Sequence, residues 1–172
     1  MAGSGQGEVT PLLRIVSVGT TLLEETKRLY RSAKQEILII SKVFEYLPKV
    51  VDALKDAVSR DVKVKVVLID PSLLPENSRK KQFEILRTLW DQLNDKIEVR
   101  FFCEYLPLIV DPMKGGKALF LVEEPETPLF LREAAITTHY NLVNGLALMF
   151  KLIWEKARPA APEDLTGNEN NG

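Results

Sequence analysis

Cysteine and histidine are nearly missing from this chain: Cys103 and His139 are the sole examples of each. A lone thiol forms no intrachain disulfide. One thiol and one imidazole cannot build a Cys/His zinc site, so no metal and no cofactor are expected. Charge of a dominant sign is missing too. The 24 acidic residues face 23 basic ones, which leaves no net field to draw nucleic acid or an anionic membrane. No apolar run approaches the ~20 residues that a membrane span needs. The opening MAGSGQGEVT lacks the apolar core of a secretion signal. Together these absences predict a cytoplasmic protein with no membrane partner.

What is present is ordinary globular composition, 45% hydrophobic and 27% charged over 172 residues, enough for one domain with a real core. Small and polar residues make 1–11 a flexible N-terminus. The Pro-, Asn- and acid-rich stretch 159–172 reads as a flexible tail. Between them, 12–158 alternates helical and strand patterns. Thr20 or Thr21 can cap a helix with Leu22, Leu23, Leu29 and Tyr30 on its apolar face. EILIIS then reads as a buried strand. A second helix carries Leu47, Val50, Leu54 and Ala57. In DVKVKVVLID the first half alternates Val with Lys, so one face meets solvent, and the second half is continuously apolar. Ser78 can cap a third helix bearing Phe83, Leu86, Leu89 and Trp90. KIEVRFFCE is a third strand, and Cys103 in it reads as a buried thiol.

CEYLPLIVDPMKGGKALFLVEE follows as two strands folded back at Gly115-Gly116, with Asp111 ending the first. REAAITT is a short strand. A last helix carries Leu142, Leu146, Met149, Phe150, Ile153 and Trp154 and stops at Pro159. The order α-β-α-β-α-β-β-β-β-α predicts an α/β fold: a mixed sheet with helices on both faces and an antiparallel hairpin. Ligands of such sheets sit outside the carboxyl ends of the strands. The polar groups expected to converge there are Ser41, Lys42, Asp70, Glu104, Asp111, Thr138 and His139. Separately, Arg79, Lys80 and Lys81 lie in the first turn of a helix. Cations there oppose the dipole by ~0.3–1 kcal/mol each, so they are candidates for contact with nucleic acid, although an exposed, solvated turn is the better explanation.

SAKQEILIIS, ALKDAVSRDVKVKVVLID, the Asp111 hairpin and LALMFKLIWEKA stand in the order and spacing of the phospholipase D-like domain of archaeal TrmB-type transcriptional regulators, which the chain resembles from about Leu22 to Ala157. The resemblance implies a phospholipase D-like sheet and an effector-binding, homodimeric regulatory domain that takes a small polar metabolite. It also implies DNA contact only through a winged-helix domain, which the stretch before Leu12 is too short to supply. Active enzymes of this fold carry H-x-K-x-x-x-x-D on the first hairpin strand, with a nucleophilic histidine, a phosphate-binding lysine and a strand-ending aspartate. Counted back from Asp111, the histidine position holds Glu104 and the lysine position Leu106. The resemblance therefore implies no catalytic residue and a non-enzyme. A free-standing nucleic-acid-binding protein, using Arg79–Lys81 with Lys63 and Lys65, is the alternative.

Overall fold

The computed structural model describes residues 11–17, 19–93, 96–122, 133–161 and 164. The expected flexible start, apart from Pro11, and the end of the tail lie outside them. Eight strands and four α-helices follow in the order β1 (Arg14–Ser17), α1 (Thr20–Ser32), β2 (Glu36–Ser41), α2 (Leu47–Ser59), β3 (Lys63–Ile69), α3 (Glu76–Leu93), β4 (Ile97–Phe102), β5 (Leu108–Val110), β6 (Ala118–Val122), β7 (Glu133–Thr137), α4 (Tyr140–Lys156) and β8 (Arg158–Pro159). One sheet holds all eight strands in the order β1-β7-β6-β5-β2-β3-β4-β8. β2, β3 and β4 are parallel; every other neighbouring pair is antiparallel.

The period-2 alternation of strand side chains divides the core. Ile37, Ile39, Val64, Val66, Val99 and Ile109 face α1, α2 and α3. Leu38, Ile40, Val67, Leu108 and Val110 face α4. Both faces of the central strands are thus covered, as their near-continuous Ile, Leu and Val demand. α4 crosses its face from the end of β7 to the start of β8. It buries Val143, Ala147, Phe150 and Trp154, with the Phe150 and Trp154 rings stacked 5.7 Å apart. Arg100 closes the far end: its guanidinium lies 4.3 Å from the Trp154 ring centroid and donates to the Trp154 carbonyl at 2.7 Å.

Several local expectations need correction. α1 starts at Thr20 after Gly19, and no side chain caps it. α3 starts at Glu76, so Ser78 lies inside its first turn rather than before it. Arg79 through Lys81 therefore straddle the first and second turns. β1 and β8 were not foreseen as strands: four residues and two residues carry too little pattern to register, and β1 is mostly exposed. Pro159 is not a stop followed by a free tail. It pairs with Arg100, and the Ala160 amide donates to the Val99 carbonyl.

Candidate functional site

β2, β3 and β4 are parallel, so their carboxyl ends share one edge of the sheet. A pocket of about 470 Å³ opens there, lined by Lys42, Ile69, Leu73, Leu74, Pro75, Cys103, Glu104 and Tyr105. Five of the eight lie at a strand end or just beyond one. Lys42 follows β2, Ile69 ends β3, and Cys103 to Tyr105 follow β4. Cys103 is exposed on this wall, not buried, because β4 ends one residue earlier. A short 3-10 turn, Pro71–Leu73, supplies the opposite wall.

The floor is tied down by a residue that the sequence reading passed over. Gln82, on α3, is 1% exposed. Its side-chain amide donates to the Ile69 carbonyl at 2.8 Å and to the Lys42 carbonyl at 3.2 Å. One side chain thus fastens the ends of β2 and β3 to α3. The signal was available: Gln82 stands at helical spacing from Ile85, Leu86, Leu89 and Leu93, the buried stripe of α3. A polar residue in such a stripe needs a buried partner.

Ser41 and Asp70 reach this edge but are committed to the chain itself. The Ser41 hydroxyl accepts the Phe44 amide at 3.0 Å. It holds Phe44 at a φ of 65°, a left-handed conformation that costs a bulky residue energy. One Asp70 oxygen accepts the Ser72 amide and hydroxyl; the other accepts Arg158 Nε at 2.7 Å. Partial burial would raise the Asp70 pKa, but Arg158 and Ser72 hold it below the usual carboxylate value. Arg158 also pairs with both oxygens of Asp164, which anchors the segment after β8.

Asp111, Thr138 and His139 do not join the pocket. β5 and β7 run against β2, so their carboxyl ends emerge at the opposite edge. Val110 pairs with Leu38 near the start of β2, and Thr137 pairs with Ala118 in the same row. The seven strand-end groups therefore divide between two edges, and Glu104 is no neighbour of Asp111. Convergence failed as an expectation because it oriented the strands that end at Asp111 and Thr138 with β2, whereas both run against it. Asp111 is 3% exposed and its Oδ1 has no hydrogen-bond partner. Burial pushes its pKa up to about 6, although Lys117 opposes the rise. The turn beside it is close-packed: a Cβ on Gly116 would lie 2.1 Å from the Asp111 carbonyl oxygen. His139 precedes α4 and places Nε2 3.1 Å from the Pro11 carbonyl oxygen.

The candidate nucleic-acid residues are engaged by α3 and its lead-in. Lys80 pairs with Glu76 at 3.0 Å and Lys81 with Glu84 at 3.7 Å. Arg79 donates to the Leu74 carbonyl. Among the described residues no cluster of three or more His, Cys, Asp or Glu side chains could hold a metal ion, and no helix is long and apolar enough to cross a membrane.

This sheet, hairpin and helix arrangement recurs in solved structures. Nuc, a phospholipase D family member from Salmonella typhimurium, matches with a TM-score of 0.61 at 15% identity, over 86% of this chain and 97% of that one. NucT from Helicobacter pylori matches with a TM-score of 0.60 at 12% identity, over 86% and 99%. The fold is phospholipase D-like. Residues 13–91 match the family described as "Transcriptional regulator TrmB, EBD N-terminal subdomain". TrmBL2, an archaeal chromatin protein whose structure shows a novel mode of DNA binding, matches with a TM-score of 0.61 at 19% identity. The match covers 90% of this chain but only 57% of the TrmBL2 chain. The N-terminal half of the described fold is thus similar to the TrmB subdomain, within a sheet of phospholipase D-like fold. Among curated proteins no sequence match is found.

Proposed function

We propose that this domain is the non-catalytic, effector-sensing and dimerising part of a TrmB-type transcriptional regulator. One observation carries the proposal: Glu104 and Leu106 occupy the two reactive positions, while a pocket stays open beside them. A phosphohistidine mechanism needs an imidazole to attack phosphorus and positive charge to hold the phosphate. Glu104 brings negative charge toward a phosphodiester, and Leu106 brings none of the needed positive charge. His139, at the other edge of the sheet, is no substitute within the same chain. A pocket that keeps its walls but has lost its nucleophile suits binding rather than turnover. The effector, a small polar metabolite, would contact Lys42 and Glu104.

Dimerisation is assigned to α4, with a second copy of the chain as the occupant. The outer face of α4 is mixed: Asn141, Asn144, Lys151 and Glu155 share it with two exposed leucines. Among the described residues α4 is the sole helix over its side of the sheet core, whereas three cover the other side. Leu148 and Leu152 are 54% and 63% exposed on its outer face. Lys151 and Glu155 flank them, so an antiparallel two-fold pairing can set cation against anion. On this reading DNA is contacted by a winged-helix domain of the regulator and not by the present fold. The engagement of Lys80 and Lys81 by Glu76 and Glu84 supports that division.

The test is the melting temperature of the full chain in the presence of sugars, organic acids, nucleotides and amino acids, each at about 10 mM. The expected result is a rise with at least one class that Lys42→Met removes. No rise with any class overturns the sensing role.

A further inference from the structure

The pocket walls sort by chemistry. Lys42 is the one cation among the lining residues and Glu104 the one anion. Both side chains belong to exposed residues, and no ion pair within 4.0 Å joins either of them to the other or to any described residue. The remaining wall is largely apolar: Ile69, Leu73, Leu74 and Pro75. Leu73 stays 58% exposed at the rim, although the chain buries most of its large apolar residues.

We infer that the pocket takes a small zwitterion with an apolar body, that is, a free α-amino acid with a hydrophobic side chain. This rests on the sensing role proposed above and narrows its ligand. The carboxylate is matched to Lys42, the ammonium to Glu104 and the side chain to the Leu73–Pro75 wall. Electrostatics selects the class. A phosphomonoester brings about two negative charges to a single lysine and sets them beside Glu104, so repulsion offsets much of the gain. A neutral sugar leaves both charges unmatched and gains little from an apolar wall. A zwitterion is neutral overall, as the pocket lining is, and satisfies both charges at once. The volume of about 470 Å³ falls within the ~300–1,000 Å³ range of small-molecule sites and has room for such a ligand.

The fastening of the floor gives the site an output. Lys42 and Ile69 are the residues whose carbonyls Gln82 holds. A ligand that draws the Lys42 side chain inward acts on a backbone already coupled to α3. Occupancy is therefore felt along α3 before it is felt at β1 or β7.

The experiment is calorimetric titration of the full chain with leucine, methionine and phenylalanine. N-acetylleucine, which lacks the ammonium, and leucinamide, which lacks the carboxylate, serve as probes of each charge. The expected result is saturable binding of at least one free amino acid, weakened about tenfold or more in each derivative. Lys42→Met should abolish the preference for leucine over leucinamide. Glu104→Gln should abolish the preference over N-acetylleucine. Both side chains are exposed, so the ligand-free melting temperatures of the two variants should match the parent. Absence of binding by all three amino acids at about 10 mM overturns the ligand class. So does a derivative that binds as tightly as its parent. If a sugar, organic acid or nucleotide raises the melting temperature through Lys42 instead, the sensing role survives and the zwitterion falls. If nothing binds, both fall.

Discussion

Lys117 lies between two buried carboxylates. Its Nζ is 3.6 Å from Glu25 on α1, and its charge is the one that opposes the rise in the Asp111 pKa. Glu25 is 6% exposed, and burial would raise its pKa. Arg14 on β1, Lys117 and Arg28 outweigh that and hold it below the usual value. The two acids thus act on stability with opposite signs. The Asp111 carboxyl is easier to protonate in the folded chain than in the unfolded one, so its charge costs nothing below about pH 4. The cost grows as pH rises through about 6 and is complete above it. Asp111→Asn should therefore stabilise the protein at pH 8, by on the order of 1–3 kcal/mol, with the gain vanishing toward pH 4. Denaturant midpoints at the two pH values measure it; a loss of stability at pH 8 contradicts the unpartnered Oδ1. Glu25 contributes above its unfolded pKa and loses that contribution as pH falls through its lower folded value. Glu25→Gln should cost roughly 1–3 kcal/mol at pH 7, read as a lower urea midpoint, and much less in acid. An equal cost at both pH values would show that its ion pairs are not what stabilises the fold. At this scale the sequence was informative about chemistry and poor on neighbours. It marked Asp111 as the carboxylate that ends a strand, but Lys117, six residues on, meets it only because the turn folds back. Glu25 drew no attention, standing beside Glu24 on a helix read from its apolar face.

The strand-forming runs were legible where length and apolarity agreed. β2 and β3 stand out by four consecutive apolar positions each, β4 by apolar alternation ending in Phe101-Phe102, and the β5–β6 hairpin by its Gly-Gly turn. The helices were found from their spacing, but α4 was turned slightly. Leu142, Leu146, Met149 and Ile153 were expected in the core, yet they are half-buried along one flank, while Val143 and Ala147 point at the sheet. A helix that is apolar on most sides has no unique inward face in its pattern alone. The side is decided by the sheet: the small Ala147 and Val143 let α4 approach closely, and the rings of Phe150 and Trp154 fill its far end. α3 carries the element-scale prediction. Gln82→Leu keeps the size and helix propensity but removes both donors, leaving the Ile69 carbonyl without that partner. The loss should be on the order of 1–3 kcal/mol, with faster amide exchange at the ends of β2 and β3 and little change in β6 or β7. Uniform acceleration across the sheet would mean that Gln82 is a general core residue and not a local fastening.

For the molecule as a whole, the sheet is divided into a parallel half that ends in the pocket and an antiparallel half that ends away from it. The sequence supplied the strands but not this division, because strand direction follows from how chain ends meet in space. The seven polar strand ends were therefore grouped together, although only Lys42 and Glu104 line the pocket. If the outer face of α4 joins two copies, sedimentation of the full chain should give twice the monomer mass, and Leu148→Glu with Leu152→Glu should give the monomer. The double variant should keep its ligand-induced melting shift, because no residue of α4 lines the pocket. An unchanged mass in that variant would move the interface elsewhere. The central claim is that the strand-end pocket binds without turning over. The most direct measurement is the release of nitrophenolate from bis(4-nitrophenyl) phosphate by the full chain. The account predicts no release above buffer for the parent chain or for Glu104→Ala. Release above buffer that Glu104→Ala abolishes would contradict it.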